Sequence, residues 1–440
     1  RAGRRSAAML PRMRIGMLAT RLGDVDGVSF EVIKWQSVLQ RLGHEVVLCA
    51  GLLPAERGPS DALIPEMHFD YHPAQRVSEA AFDRASDPAA VRAEIGRLAD
   101  ALFDRLSRWL DDARVEQLVV QNAWAIPMHL PLGVAVTRLA RDSGVPSLGH
   151  HHDYWWERVR FASCIVPEVL DEAFPPDLPG LTHVSINSLA ASELRRRRGL
   201  RSEVIPNVFD FDQLRPPDGA ARAVQLRAEL GLAPDDLLVV QPTRVVPRKG
   251  IELAIELVAR LGRPDAVLLV TSPAGDEGYE YLLGLERLAE RLGVDFRYAP
   301  ERFRPDQQPG GSQELPEPTH SLVDAYIAAD VITYPSLYEG FGNALVEAVF
   351  FGKPLVVNRY AVYEADIRPL GFRFVELDGG VSQAAVDQLN DLLADPRRRA
   401  LDAEHNFELG RRHLSYDRLE RSLEVLIGQR AGSGSASVAG

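Results

Sequence analysis

Two carboxylates, Glu339 and Glu347, stand eight residues apart in the stretch YPSLYEGFGNALVEAVFFG, Tyr334 to Gly352. A strand-like apolar run ends at Tyr334 and a helical pattern opens near Asn343. Gly340 and Gly342 between them permit a sharp turn and close backbone approach to a ligand. The amides of Gly342, Asn343, Ala344 and Leu345 would then gather at a helix N-terminus, a favourable place for an anion. A carboxylate beside an anion repels it, so both glutamates are expected to reach past it to hydroxyls, such as those of a sugar or a ribose. For Glu347 the simpler alternative is a partner of the helix dipole. Upstream, QPTRVVPRKG, Gln241 to Gly250, sets Arg244 and Lys249 on a loop between a strand and a helix. Two cations there could hold a diphosphate; the alternative is a solvated basic turn. Lysine is scarce, with Lys34, Lys249 and Lys353 the only three among 50 basic side chains, which gives Lys249 added weight.

The segment HHHDYWWERVRF, His150 to Phe161, is the other unusual feature. Imidazoles ligate zinc, but side chains alternate on an extended chain, so His150 and His152 share a side while His151 points away. No HExxH accompanies them, and a metal is not expected. Tyr154, Trp155 and Trp156 could pack a sugar ring or belong to the core, and Arg158 and Arg160 could bind carboxylate or phosphate. Asn122, at the end of VVQNAWAIP, and Asn187–Ser188 are further polar candidates, while Asn207 in PNVFD reads as a turn residue.

These residues need a frame, and the apolar periodicity supplies one. Strands are predicted at Met13–Ala19, Glu45–Ala50, Gln117–Gln121, Val145–Gly149, His183–Ile186 and Glu203–Ile205. Helices are predicted at Phe30–Leu42, Ala90–Ala113 and Leu132–Arg141. The pattern restarts with strands at Asp236–Gln241, Ala266–Thr271, Asp330–Tyr334 and Pro354–Asn358, and helices at Gly250–Leu261, Tyr279–Leu292 and Asn343–Phe351. Alternating βα units of this kind make parallel sheets with helices on both faces, so the expected class is α/β with two Rossmann-like halves. The expected divisions are 1–12, a flexible extension; 13–206 and 207–410, the two doubly wound domains; 411–428, a closing helix; and 429–440, a disordered tail. Arg304–Pro318 reads as a mobile loop.

The 440 residues carry a net charge of −12, which argues against a general nucleic-acid binder. No apolar run approaches the roughly 20 residues that span a bilayer, so stable membrane insertion is not expected. Cys49 and Cys164, the only cysteines, fit reduced residues of a cytoplasmic protein. No GxGxxG follows a strand, which disfavours a dinucleotide oxidoreductase.

Together the E-x7-E of Glu339 and Glu347 and the R-x4-K of Arg244 and Lys249, about 95 residues earlier, resemble the donor domain of the retaining family 4 glycosyltransferases, glycosyl transferases group 1. The resemblance runs from about Arg14 to Gly428. It implies the GT-B fold, two Rossmann-like domains facing across a cleft, the first for the acceptor and the second for the nucleotide-sugar donor. It implies that Arg244 and Lys249 bind the diphosphate, Glu347 the ribose and Glu339 the transferred sugar, with Phe341, Gly342 and Asn343 lining that subsite. It places His152, with Asp153, near the anomeric carbon, although His150 competes for that position. It brings Gly27, in the loop GDVDGVS, near the donor, and Asn122, His150, His152, Asp153, Tyr154 and Arg158 to the acceptor. The reaction implied is retaining transfer of a hexose from a UDP- or GDP-linked sugar to a hydroxyl of a small polar or anionic acceptor, with no metal and no cofactor beyond that co-substrate. A nucleotide-sugar epimerase and a non-catalytic sugar-nucleotide binder are the alternatives.

Overall fold

A computed structural model describes residues 12–22, 27–214, 216–274, 278–304 and 320–434. The chain divides into two compact units: one runs to Pro206 and takes in the stretch from Arg418, and the other runs from Asn207 to Asp417.

In the first unit the order is β1 (Arg14–Ala19), α1 (Gly27–Arg41), β2 (Glu45–Ala50), β3 (Ala62–Leu63), α2 (His72–Ala80), α3 (Pro88–Asp112), β4 (Gln117–Gln121), α4 (Leu130–Ser143), β5 (Ser147–His151), α5 (Pro167–Ala173), β6 (Leu181–Ser185), α6 (Ser188–Arg198) and β7 (Ser202–Val204). The strands form one sheet in the order β3-β2-β1-β4-β5-β6-β7, all pairings parallel. α3 shows how local sequence builds this layer. Asp87 caps it, accepting from the Ala89 amide at 3.1 Å, and Pro88 sits in the first turn, where its missing N–H costs nothing. Val91, Ile95, Leu98, Leu102, Leu106 and Trp109 then recur at helical spacing and are buried. The lower part of that stripe packs with Leu18, Val47, Leu118 and Val120 of the sheet.

The second unit runs α7 (Gly219–Glu229), β8 (Leu237–Gln241), α8 (Ile251–Arg260), β9 (Ala266–Val270), α9 (Glu280–Leu292), β10 (Asp295–Tyr298), the short pair β11 (Phe303–Arg304) and β12 (His320–Ser321), α10 (Leu322–Ala328), β13 (Val331–Tyr334), α11 (Asn343–Phe350), β14 (Leu355–Asn358), β15 (Val375–Leu377), α12 (Gln383–Ala394) and α13 (Pro396–His413), with α14 (Tyr416–Gly434) closing the chain. The main sheet has the order β10-β9-β8-β13-β14-β15, again parallel throughout. Strands and helices share a core of Val239, Ile251, Ile255, Leu268, Leu285, Val356 and Leu389. In both sheets the strand order reverses beside the first strand of the unit, at β1/β4 and at β8/β13. The crevice beyond the strand ends at such a switch point is where open α/β sheets bind ligands.

Four expectations change. The strand expected to stop at Gly149 continues to His151, because His150 and His151 pair in register with Val184 and Ser185 and find buried polar partners. The helix expected over Arg411–Ile427 is two helices. The backbone leaves α13 at Leu414, whose carbonyl accepts from the Phe209 amide at 2.8 Å, and Ser415 bridges to Phe209 before α14 begins. α14 runs to Gly434, past the expected start of the tail at 429. Asn187 is the N-cap of α6, its side chain accepting from the Ala190 amide at 2.7 Å. The expected extension up to residue 11, the Arg304–Pro318 loop beyond Arg304 and the tail from 435 lie outside the described residues. Among the described residues no helix is long and apolar enough to cross a membrane.

Candidate active site

The switch point of the second unit brings the two sequence motifs together. β8 ends at Gln241 and β13 at Tyr334; Thr333 Oγ1 donates to Gln241 Oε1 at 2.7 Å, locking the strand ends. The chain after β8 makes a tight turn over Pro247–Lys249 and leaves it through Gly250 at φ +60°. A Cβ at Gly250 would lie 2.4 Å from the Pro335 carbonyl oxygen, so glycine is needed both for the backbone angle and for the close approach. Leu337 N donates to the Arg248 carbonyl at 2.8 Å, joining this turn to the loop that carries Glu339.

Glu339 is held at both carboxylate oxygens. Lys249 Nζ forms a short hydrogen bond to Oε1, and Arg248 Nη1 donates to Oε2 at 3.0 Å. The Lys249 and Glu339 side chains are only 10% and 9% exposed. Burial pushes the Glu339 carboxyl up, but the Lys249 and Arg248 cations outweigh it and hold the group below the usual carboxylate range. Burial lowers the Lys249 ammonium, and Glu339 partly offsets this. Lys249 Nζ also lies 5.3 Å from the centre of the Tyr334 ring. Arg244 is exposed on the same loop.

The start of α11 is shaped by Gly342. Gly342 adopts φ +136° at the N-cap of α11, where a Cβ would meet the Tyr360 hydroxyl at 2.6 Å. That hydroxyl donates to the Phe341 carbonyl at 2.5 Å and fixes the loop. No side chain caps α11, so the amides of Asn343 and Ala344 begin the helix ahead of its first intrahelical bond. Leu345 is a correction: the residue is buried and its amide already donates to the Gly342 carbonyl at 3.1 Å. Asn343 Oδ1 accepts from Asn207 Nδ2 at 2.8 Å, giving Asn207 a tethering role beyond a turn. Glu347 is half-buried and accepts from the Tyr326 hydroxyl at 2.7 Å.

In the first unit, the ends of β4 and β5 form a second polar cluster. Asn122 follows β4 at φ 57°, in the left-handed region that asparagine tolerates best after glycine. Its Oδ1 accepts from the His152 amide at 3.0 Å and its Nδ2 donates to Asp153 Oδ1 at 3.2 Å. Arg158 Nε donates to Asp153 Oδ2 at 2.7 Å. His150 is buried, stacks on Trp35 at 4.2 Å and donates from Nδ1 to Gln121 at 2.8 Å; its ring lies 4.5 Å from that of His152. His151 projects to the opposite face. Its Nε2 is 2.9 Å from His183 Nδ1, and His183 Nε2 donates to the Pro176 carbonyl, so Nδ1 of His183 is free to accept from His151. Burial lowers both, His183 to about 4. Among the described residues no three His, Cys, Asp or Glu side chains are arranged to hold a metal.

The comparisons decide the family. The family model described as glycosyl transferases group 1 matches residues 315–406, which include Glu339 and Glu347. Mannosylglucosylglycerate synthase of Thermotoga maritima is 34% identical, covering 94% of this chain and 100% of that protein. The synthase of the same name from Petrotoga mobilis is 32% identical over 83% of this chain and 86% of its own length. The chain belongs to the group 1 glycosyl transferases. It is a glycosyltransferase of the GT-B fold, as its two parallel sheets and its likeness to solved structures show. The sucrose-phosphate synthase of Thermosynechococcus elongatus, for example, superposes with a TM-score of 0.64 at 15% identity, covering 96% of this chain and 100% of that one.

Within this glycosyltransferase several candidates move. Tyr154 is fully buried, its hydroxyl 2.9 Å from Ser185 Oγ, and so is a core residue with no surface left for an acceptor. His150 is likewise enclosed by Trp35 and Gln121, which leaves His152 as the more exposed of the two. Trp155 donates from Nε1 to the Phe174 carbonyl at 3.0 Å, and Trp156 stacks on Tyr154 at 4.7 Å, so both pack the first unit. Gly27 opens α1, with Ser29 buried behind it; 23–26 of the GDVDGVS loop lie outside the described residues. Cys49 is buried and Cys164 half-buried, both free. The sequence reading missed Arg248, which no motif spacing singles out. It also missed the buried Lys34–Glu31 pair, 2.5 Å apart on α1, which the scarcity of lysine could have flagged.

Proposed function

We propose that this glycosyltransferase moves a mannosyl group from a UDP- or GDP-linked donor to glucosylglycerate, retaining the anomeric configuration of the donor. The end-to-end likeness to two mannosylglucosylglycerate synthases supports the substrate pair. The observation that carries the chemistry is the buried Lys249–Glu339 pair, held on its second oxygen by Arg248, beside the uncapped start of α11.

Departure of a nucleoside diphosphate leaves negative charge on its β-phosphate. Arg244, Lys249 and the amides of Asn343 and Ala344 would stabilise that charge without reorganisation, as preorganised electrostatic catalysis requires. These cations would take the place of a divalent metal. Glu347 would hold the ribose and Glu339 the hydroxyls of the transferred sugar. Retention would then follow from front-face transfer, in which the leaving phosphate accepts the proton of the attacking hydroxyl. Arg160, exposed and laid over Phe161 at 4.6 Å, gives the first unit a guanidinium suited to an acceptor carboxylate, beside an Arg158 that would have to leave Asp153 to join it.

The test is nucleoside diphosphate release from GDP-mannose and UDP-mannose in EDTA, with glucosylglycerate, the neutral glucosylglycerol, glycerate and D-inositol 3-phosphate as acceptors. NMR of the product then reports its anomeric configuration. We expect one donor to be used, glucosylglycerate strongly preferred over glucosylglycerol, and retention. Equal use of the neutral acceptor, inversion, or loss of activity in EDTA would each refute its part of the reading.

A further inference from the structure

We propose that Arg248 is a positioning residue of the transfer reaction: by gripping the second carboxylate oxygen of Glu339 it fixes that carboxylate while Lys249 engages the leaving diphosphate. The inference rests on the donor-site reading above. Its basis is how the Pro247–Lys249 turn is stitched to the loop from Pro335 to Glu339. Leu337 N donates to the Arg248 carbonyl at 2.8 Å. Arg248 Nη1 donates to the Tyr338 carbonyl at 3.3 Å and to Glu339 Oε2 at 3.0 Å. Gly250 brings the chain against the Pro335 carbonyl. Main chain and side chain of one residue therefore clamp the three residues that end in Glu339.

Lys249 has two tasks in this site and one ammonium. On its flexible stem it serves as a point charge for either Glu339 or a phosphate, whereas the planar guanidinium of Arg248 suits a lasting hold on a carboxylate. Other groups facing Glu339 are uncharged hydroxyls. From β13 comes the buried Tyr334 hydroxyl, from the loop itself Ser336, and from the segment after β14 Tyr360. Burial favours the protonated carboxyl, so once Lys249 turns to the donor, Arg248 is the charge that keeps Glu339 ionised.

The test uses the full-length enzyme with GDP-mannose and UDP-mannose as donors and glucosylglycerate as acceptor. Arg248→Ala is expected to lower kcat about ten- to a hundredfold, the scale of one charge-assisted hydrogen bond. Donor KM should change by less than about threefold. The acid limb of the kcat profile should move to higher pH, because Glu339 then protonates more readily. Arg248→Lys, which keeps the charge without the planar fork, should return the acid limb toward its wild-type position while recovering only part of kcat. An acid limb that does not move, or a kcat within twofold of wild type, overturns the proposal, since a merely structural clamp would scale kcat equally at every pH. A stability cycle needs no turnover: Arg248→Ala should lower Tm in the wild type and much less in a Glu339→Gln background. Additive effects overturn the proposal. If wild type uses neither donor, the functional reading has failed, and this cycle still decides the role of Arg248.

Discussion

Replacing Lys249 with methionine isolates the charge on which the candidate site is built, because methionine keeps the length and apolar bulk of the stem. Removing one member of a buried ion pair costs about 3–5 kcal/mol when the survivor is left alone. Here Arg248 still holds Glu339 Oε2 at 3.0 Å, so the low end applies, about 3 kcal/mol at pH 7. For a domain of this size that is roughly 6–12 °C in Tm. The sign with pH follows from Glu339. In the wild type its carboxyl is held below the usual range, so its contribution is complete above the unfolded value of about 4.3 and is lost as pH falls through the folded value. Without Lys249, Arg248 alone opposes burial, so the folded carboxyl lies higher than in the wild type. The loss relative to the wild type is then full above the variant's folded value and shrinks as pH falls below it. The gap between variant and wild type should therefore narrow on acidification from pH 7 to pH 5, and Glu339→Gln added to Lys249→Met should recover most of the loss. Urea and thermal unfolding at several pH values measure all three. A loss below about 1 kcal/mol, a gap constant with pH, or no recovery in the double variant would refute the reading of an ionised buried pair.

Two further outcomes are expected. Gly342→Ala forces φ +136° on a residue with a Cβ and drives it to 2.6 Å from the Tyr360 hydroxyl; we expect a cost of about 1–3 kcal/mol and, by calorimetry, more than tenfold weaker nucleoside diphosphate binding, whereas Gly380→Ala, with open space around it, should change neither. The buried His129 and His183 are both lowered to about 4, chiefly by burial, so their neutral forms support the fold above the unfolded value of about 6.5 and that support drains away as pH falls toward 4; unfolding free energies from urea titrations at pH 7.5 and pH 5 should differ by a few kcal/mol, and His183→Gln should shrink the difference.

The residues that were legible in the sequence share a property: their role depends on the chain near them. Apolar runs named nearly every central strand because parallel strands buried on both faces need little else. Gly342 marked a turn, and the structure gives it a positive φ. What stayed hidden depended on long-range partners. His150 and His151 read as a loop opening, since polar residues seldom sit in a central strand, yet Gln121 and His183, 29 and 32 residues away, make the strand their cheapest conformation. Asn122 also braces the chain after β5, satisfying the His152 amide and Asp153 from a backbone angle no sequence pattern reports. Tyr154 has an aromatic ring and a hydroxyl, as a sugar subsite would want, but Ser185 on the neighbouring strand claims the hydroxyl. Three cations, Arg244, Arg248 and Lys249, crowd one loop, and spacing alone cannot say which turn inward. That is decided by the Leu337 amide and the Pro335 carbonyl, more than 80 residues further along the chain, which draw the Pro247–Lys249 turn against the loop and leave Glu339 between two of the three.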